Sequence, residues 1–102
     1  MARHINLTQY PKVIQLAAHA IGLDHKRPYI RYGKRYFRPW RNYFTTPADS
    51  QDWKEWEWLC EKGYAEVDPP GKNISLFRFR LTPAGLNWLG TFLGIIIQTK
   101  ET

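Results

Sequence analysis

Between residues 51 and 89 the spacing of apolar side chains changes period twice, and few folds accommodate that order. Over residues 51–62, Trp53, Trp56 and Cys60 recur at helical intervals with Leu59 beside them. Lys54, Glu55, Glu57 and Glu61 are left for water, and Trp58 falls off the stripe. Ser50 or Asp49 can cap this helix, Asp52 lies in the first turn where the helix dipole favours an anion, and Gly63 permits the stop. The period then drops to two. In residues 74–81, Ser75, Phe77, Phe79 and Leu81 share one face, and Ile74, Leu76, Arg78 and Arg80 share the other. The face with two phenylalanines is expected inward, which turns both arginines outward. Residues 64–67 are a short partner strand, separated from the first by the dense turn signal Asp68-Pro-Pro-Gly-Lys-Asn. Helical spacing returns after Thr82-Pro-Ala-Gly, a hydroxyl cap followed by proline at the first helical position. Leu86, Leu89 and Leu93 form its stripe, flanked by Trp88 and Phe92. Gly85, Gly90 and Gly94 weaken this helix by roughly 1 kcal/mol each unless they permit close packing.

Upstream the pattern is less decisive. Residues 8–21 read as a helix with Thr8 as cap, Pro11 in the first turn, and Val13, Ile14, Ala17, Ala18 and Ile21 at helical spacing; Gly22 ends it. In residues 23–48, Pro28 and Pro39 interrupt any long helix. Two readings stay open there: a short hairpin turning at Gly33, or an irregular loop whose aromatics tack it onto the core. A short helix from Trp40 to Phe44 fits either.

A length of 102 residues suits one domain spanning the chain, and 43% hydrophobic against 24% charged residues is a globular balance. Cys60 is the single cysteine, which excludes an intrachain disulfide and a cysteine-rich zinc site and fits a reducing, cytoplasmic location. Met1-Ala-Arg-His-Ile lacks the apolar run of a signal peptide, and the most apolar stretch, residues 86–97, is 12 residues long and too short to span a bilayer. No membrane partner is expected.

The formal charge of +6 is unevenly distributed. Residues 24–48 hold seven bases against Asp24, whereas residues 49–68 hold seven acids against Lys54 and Lys62. A chain that runs basic, acidic, basic predicts an oriented electrostatic surface.

The order helix, Gly, short strand, turn, strand, Thr-Pro-Ala-Gly, helix resembles the second half of bacterial winged-helix regulators of the multiple-antibiotic-resistance and PadR type. The residues that carry it are Trp58-Leu-Cys-Glu-Lys-Gly-Tyr-Ala-Glu and Phe77-Arg-Phe-Arg-Leu-Thr-Pro-Ala-Gly-Leu, with Leu89 beyond, within residues 58–89. The resemblance implies an α+β, winged-helix-like fold of about three helices with a β-hairpin wing. It also implies that Leu59 and Gly63 end a recognition helix and that Leu81, Thr82 and Gly85 form the strand-to-helix junction. The chain departs from the pattern in that helix, where four acids and three tryptophans stand in place of the Arg, Lys, Asn, Gln, Ser or Thr that read base edges. Across the whole chain, His19-Ala-Ile-Gly-Leu, Trp40-Arg-Asn-Tyr-Phe, Trp58-Leu-Cys-Glu-Lys-Gly and Phe79-Arg-Leu-Thr-Pro-Ala-Gly resemble a family of small uncharacterised bacteriophage and prophage proteins. That implies a phage origin and a cytoplasmic setting in a bacterial cell or infected host, and no activity.

The strongest functional signal is the basic, aromatic-laced segment. Lys26, Arg27, Arg31, Lys34, Arg35, Arg38 and Arg41 lie among Tyr29, Tyr32, Tyr36, Phe37, Trp40, Tyr43 and Phe44. Basic side chains neutralise phosphates and exposed rings stack on bases of single strands, so this composition predicts a nucleic-acid contact. Binding to an acidic protein, or a solvated loop with its rings anchored in the core, gives the same composition. Arg78, Arg80 and, at the expected wing tip, Lys72 extend the candidate surface, unless the arginines pair with the acidic helix. A protein-interaction or phage structural module using the aromatic surface and acidic helix is the rival reading.

Catalysis is not expected. His4, His19 and His25 are the only histidines, His25 beside Asp24 lacks a spaced third ligand, and no base is apparent for Cys60. Lys34 and Lys72 each follow a lone glycine and lack a phosphate-cradling spacing. No catalytic residue, metal site or cofactor is therefore assigned. The apolar residues 86–97 either fold back over the domain or supply the shared core of a homodimer.

Overall fold

The computed structural model describes residues 6–23, 27–68 and 76–98. Among them the fold is α+β, with three α-helices and six strands in two three-stranded sheets.

The first helix, α1 (Lys12–Ala20), is shorter than the sequence predicts. Tyr10 precedes Pro11, and the proline ring forces the preceding residue out of helical geometry, so Tyr10 is extended at φ −103° and ψ 158°. The expected first turn is instead a separate 3-10 turn, Leu7–Gln9, capped by Asn6 rather than Thr8: the Asn6 side chain accepts from the Thr8 amide. Ile14, Leu16, Ala17, Ala18 and Ala20 are buried, so α1 is packed around most of its circumference.

Strand β1 (Tyr29–Arg31) pairs antiparallel with β2 (Lys34–Phe37), which realises the hairpin reading of the upstream segment. The chain then passes Trp40 without making a helix, because three tertiary anchors hold residues 40–43 against distant segments. The Trp40 indole Nε1 donates to the Gly22 carbonyl at 3.2 Å, and the Tyr43 amide donates to the Ala20 carbonyl at 3.1 Å. The Asn42 side chain both donates to the Leu81 carbonyl and accepts its amide, each at 2.9 Å, as a neighbouring strand residue would. Strand β3 (Phe44–Pro47) follows directly.

Helix α2 (Gln51–Glu61) starts where the sequence places it, with Ser50 Oγ accepting the Trp53 amide at 3.1 Å. It leads to β4 (Ala65–Val67), β5 (Leu76–Leu81) and α3 (Pro83–Leu93), whose first turn is capped by Thr82. Thr82 Oγ1 accepts the Gly85 amide at 3.0 Å and donates to the Gly63 carbonyl at 2.7 Å, which ties the start of α3 to the end of α2. The turn between β4 and β5, and with it Lys72, lies outside the described residues.

β5 is the centre of its sheet. It pairs antiparallel with β4 on one edge and with β3 on the other, so the β4–β5 hairpin is part of a three-stranded sheet rather than a free wing. Phe79 and Leu81 face inward and are buried, while Leu76, Arg78 and Arg80 face out, as the alternation requires. Phe44, Trp56 and Phe79 stack in one column, with ring centroids 5.6 and 5.5 Å apart, and this column joins β3, α2 and β5 at the centre of the core. Between β3 and β4 the chain makes α2 alone, so the two consecutive helices of a helix-turn-helix do not occur in that stretch.

The apolar tail folds back over its own domain. Gly94, left-handed at φ +72°, ends α3, and β6 (Ile96–Ile97) runs parallel to β2 to complete the second sheet, β1–β2–β6. Leu93, Ile95 and Ile97 are buried within the same chain. Gly90 makes the close return possible, since a Cβ there would meet the Ile95 carbonyl oxygen at 2.7 Å. Among the described residues no helix is long and apolar enough to cross a membrane.

Candidate nucleic-acid interface

The hairpin sorts the basic segment into two faces by strand alternation. Ile30, Arg35 and Phe37 lie on one side, where Phe37 is buried in the core and Arg35 Nη2 donates to the Leu93 carbonyl at the end of α3 at 3.4 Å. Tyr29, Arg31, Lys34 and Tyr36 lie on the other. Tyr29 and Tyr36 are register partners and their rings stack, 5.8 Å apart and 20° from parallel. The parallel pairing of β6 puts the exposed Ile96 beside Tyr36, which gives a row Tyr29–Tyr36–Ile96 across all three strands. Arg31 and Lys34 flank that row toward the turn. At the opposite end Gln98 Oε1 accepts from the Tyr29 hydroxyl at 3.1 Å and from Arg38 Nε at 3.4 Å.

Charge survives on this face because no described acid pairs with its bases. Between described residues ion pairs form at Arg80 alone, so Arg27, Arg31, Lys34, Arg35 and Arg38 have no ion pair with a described carboxylate. Arg27, Arg31, Lys34 and Arg38 are exposed. An open groove of about 440 Å³ lies against the hairpin end of the sheet, lined by Lys34, Arg35, Thr91 and Ile96 with Gly33 and Gly94.

The other candidate cations are used differently. Arg41 donates through Nε and Nη2 to the His19 carbonyl, at 3.2 and 2.6 Å, so its guanidinium neutralises the negative end of α1. It also packs 4.7 Å from the Trp40 ring centroid. Arg78 stands over the exposed Tyr43 ring at 4.7 Å. Arg80 pairs with Glu66 at 3.2 Å and with Asp68. Those acids are its cross-strand neighbours on β4 and just beyond it, rather than members of the acidic helix. Lys26 and Lys72 lie outside the described residues.

The acidic helix carries a second surface. Trp58, 39% exposed, sits 6.1 Å from Trp88, which stacks on Tyr64 at 4.9 Å and continues through Phe92 to Tyr10. Glu57 and Glu61 are exposed on the same helix. Cys60 is half-buried; burial first, then the carboxylates of Glu57 and Glu66, raise its thiol above the ordinary value, which disfavours a nucleophilic thiolate. Among the described residues no group of three or more His, Cys, Asp or Glu could hold a metal ion.

No match is found among models of protein families, curated proteins or solved structures.

Gln98 and Ile96 are the members of the basic face that sequence reading missed. They belong to the apolar tail, some sixty positions from the basic segment, and only the parallel pairing of β6 with β2 carries them there.

Proposed function

We propose that this is a small phage-related nucleic-acid-binding protein that acts by binding or regulation, without covalent chemistry. The observation that carries the reading is the outward face of β1–β2, where Arg31, Lys34 and Arg38 surround stacked tyrosines and meet no described carboxylate. Arg27 adds exposed charge next to it, Arg35 is turned to the opposite side where it meets the Leu93 carbonyl, and Arg78 is an outward base of β5 that forms no ion pair with a described acid. Arg41 and Arg80 have structural partners and contribute little. The winged-helix-like description applies to α2, β4, β5 and α3, which keep the order of helix, hairpin and helix.

The test is a salt titration of binding to nucleic acid. Arg31→Glu with Lys34→Glu is expected to lower affinity and to flatten the dependence of log K on log salt by roughly 0.7 to 0.9 for each phosphate no longer neutralised. Arg80→Glu should leave that slope unchanged. An unaltered slope in the double variant sinks the reading.

A second reading, protein interaction by a structural or regulatory module, rests on the exposed Trp58 and Phe92 rings, joined through the half-buried Trp88, beside Glu57 and Glu61. A homodimer would use the same surface, since the rest of residues 86–97 is mostly covered within the chain. Trp58→Ser with Phe92→Ser in the titration above distinguishes the two readings: unchanged affinity assigns nucleic acid to the hairpin face alone.

A further inference from the structure

The turn of the β1–β2 hairpin is built against its own stability. Its two central residues, Tyr32 and Gly33, sit at φ +53° and +76°, the signature of a type I′ turn. Glycine accepts the second position freely. The first favours Asn or Asp, whose short polar side chains tolerate left-handed backbone, and a bulky ring there is strained. Burial gives nothing back, because Tyr32 is 85% exposed. Its ring lies beside the guanidinium of its neighbour Arg31, 5.3 Å from the ring centroid, and that exposed pair offsets little of the cost. A strained and solvent-exposed aromatic at a hairpin tip is a feature that folding alone does not explain.

Resting on the nucleic-acid reading above, we infer that the ligand is single-stranded nucleic acid, with Tyr32 and the Tyr29–Tyr36 pair as platforms on which unpaired bases stack. Three observations converge. The rings are tyrosines on an open sheet face and at its tip, and a ring can stack only on a base whose face is not already covered by its neighbours in a duplex. The row Tyr29–Tyr36–Ile96 crosses three strands, about 10 Å at the usual strand spacing, which suits a strand drawn out across the sheet. Cationic side chains lie on both sides of that row, Arg31 and Lys34 toward the turn and Arg38 at the other end, where phosphates of a strand crossing the rings would run. Gln98 uses its carbonyl oxygen to hold Tyr29 and Arg38, which leaves its amide N–H groups to donate to base edges.

The full chain is titrated by fluorescence anisotropy with a labelled oligothymidylate, an oligouridylate and a duplex of equal length, at two salt concentrations. Both single strands are expected to bind at least about tenfold tighter than the duplex; a difference between them reports a preference for DNA or RNA. Tyr32→Asn is the discriminating variant. It replaces a strained residue by one suited to the turn, so the melting temperature should rise or hold while single-strand affinity falls by about tenfold at an unchanged salt slope. Tyr36→Leu should lose a similar factor and Tyr36→Phe should restore it. If the duplex binds as tightly as the single strands, or if Tyr32→Asn and Tyr36→Leu leave oligothymidylate and oligouridylate binding unaltered, the single-strand inference fails. The nucleic-acid reading still stands in that case, provided Arg31→Glu with Lys34→Glu weakens binding. Absence of binding to any of the three probes at the lower salt overturns both.

Discussion

At the scale of single residues, the molecule separates side chains that look alike in the sequence. Arg41 and Arg31 both sit among aromatics, yet Arg41 is spent on the His19 carbonyl while Arg31 keeps its charge in solvent. Arg78 and Arg80 share a strand face, and only Arg80 pairs with carboxylates: Asp68, whose amide donates to the Arg78 carbonyl at 2.8 Å, turns its side chain to Arg80. Glycines divide in the same way. Gly85 lies in the first turn of α3, where alanine ordinarily stabilises a helix by about 1 kcal/mol. Here a Cβ would fall on the Tyr64 carbonyl oxygen, which accepts the Thr82 amide at 3.0 Å. Backbone cannot step aside as a flexible side chain can, so Gly85→Ala is expected to destabilise the protein by about 2–3 kcal/mol in urea denaturation, against the helix-propensity sign. The Thr-Pro-Ala-Gly phrase is legible as a helix start because capping is local chemistry. The need for glycine at its end is not legible, because the obstructing atom belongs to residue 64.

At the scale of elements, legibility follows how local the stabilising interactions are. Helix α2, strand β5 and helix α3 are readable because each has its own cap or one uninterrupted period of apolar residues. Residues 40–43 are not a helix, against the sequence expectation, because what holds them in place is their grip on Gly22, Ala20 and Leu81, none of which is a sequence neighbour. The β1–β2 hairpin lies between these cases: its turn chemistry is local, and its choice over an irregular loop depends on the pairing of β2 with β6. Gly33→Val forces a β-branched residue into left-handed backbone, at a cost of roughly 1–2 kcal/mol. The expected outcome is faster amide exchange across residues 29–37, with protection in α2 and β5 unchanged. Equal loss of protection in all elements would show instead that the hairpin and the core unfold as one unit.

At the scale of the whole molecule, two sheets share one core, and the chain closes it by returning its last described residues to its middle. β6 and the residue before it cover the Phe37 side of the second sheet through Ile95 and Ile97. Removing residues 95–102 should therefore uncover Phe37 and Leu93, lower the melting temperature by several degrees and raise light scattering on heating. A truncated chain that melts like the full one would show that β6 is dispensable. The sequence by itself determined the α+β class, the helix–hairpin–helix run from α2 to α3, the outward turn of Arg78 and Arg80, and the charge blocks, because period, capping and charge are properties of neighbours in the chain. Tertiary structure alone decided that β5 is a central strand and that the apolar tail pairs with β2. It also decided that Arg31, Lys34 and Arg38 surround stacked tyrosines away from any described carboxylate, while Arg41 and Arg80 are engaged. Those outcomes depend on which distant segments meet, and the free energy of such meetings is set by packing and desolvation in the assembled core, which no local pattern encodes.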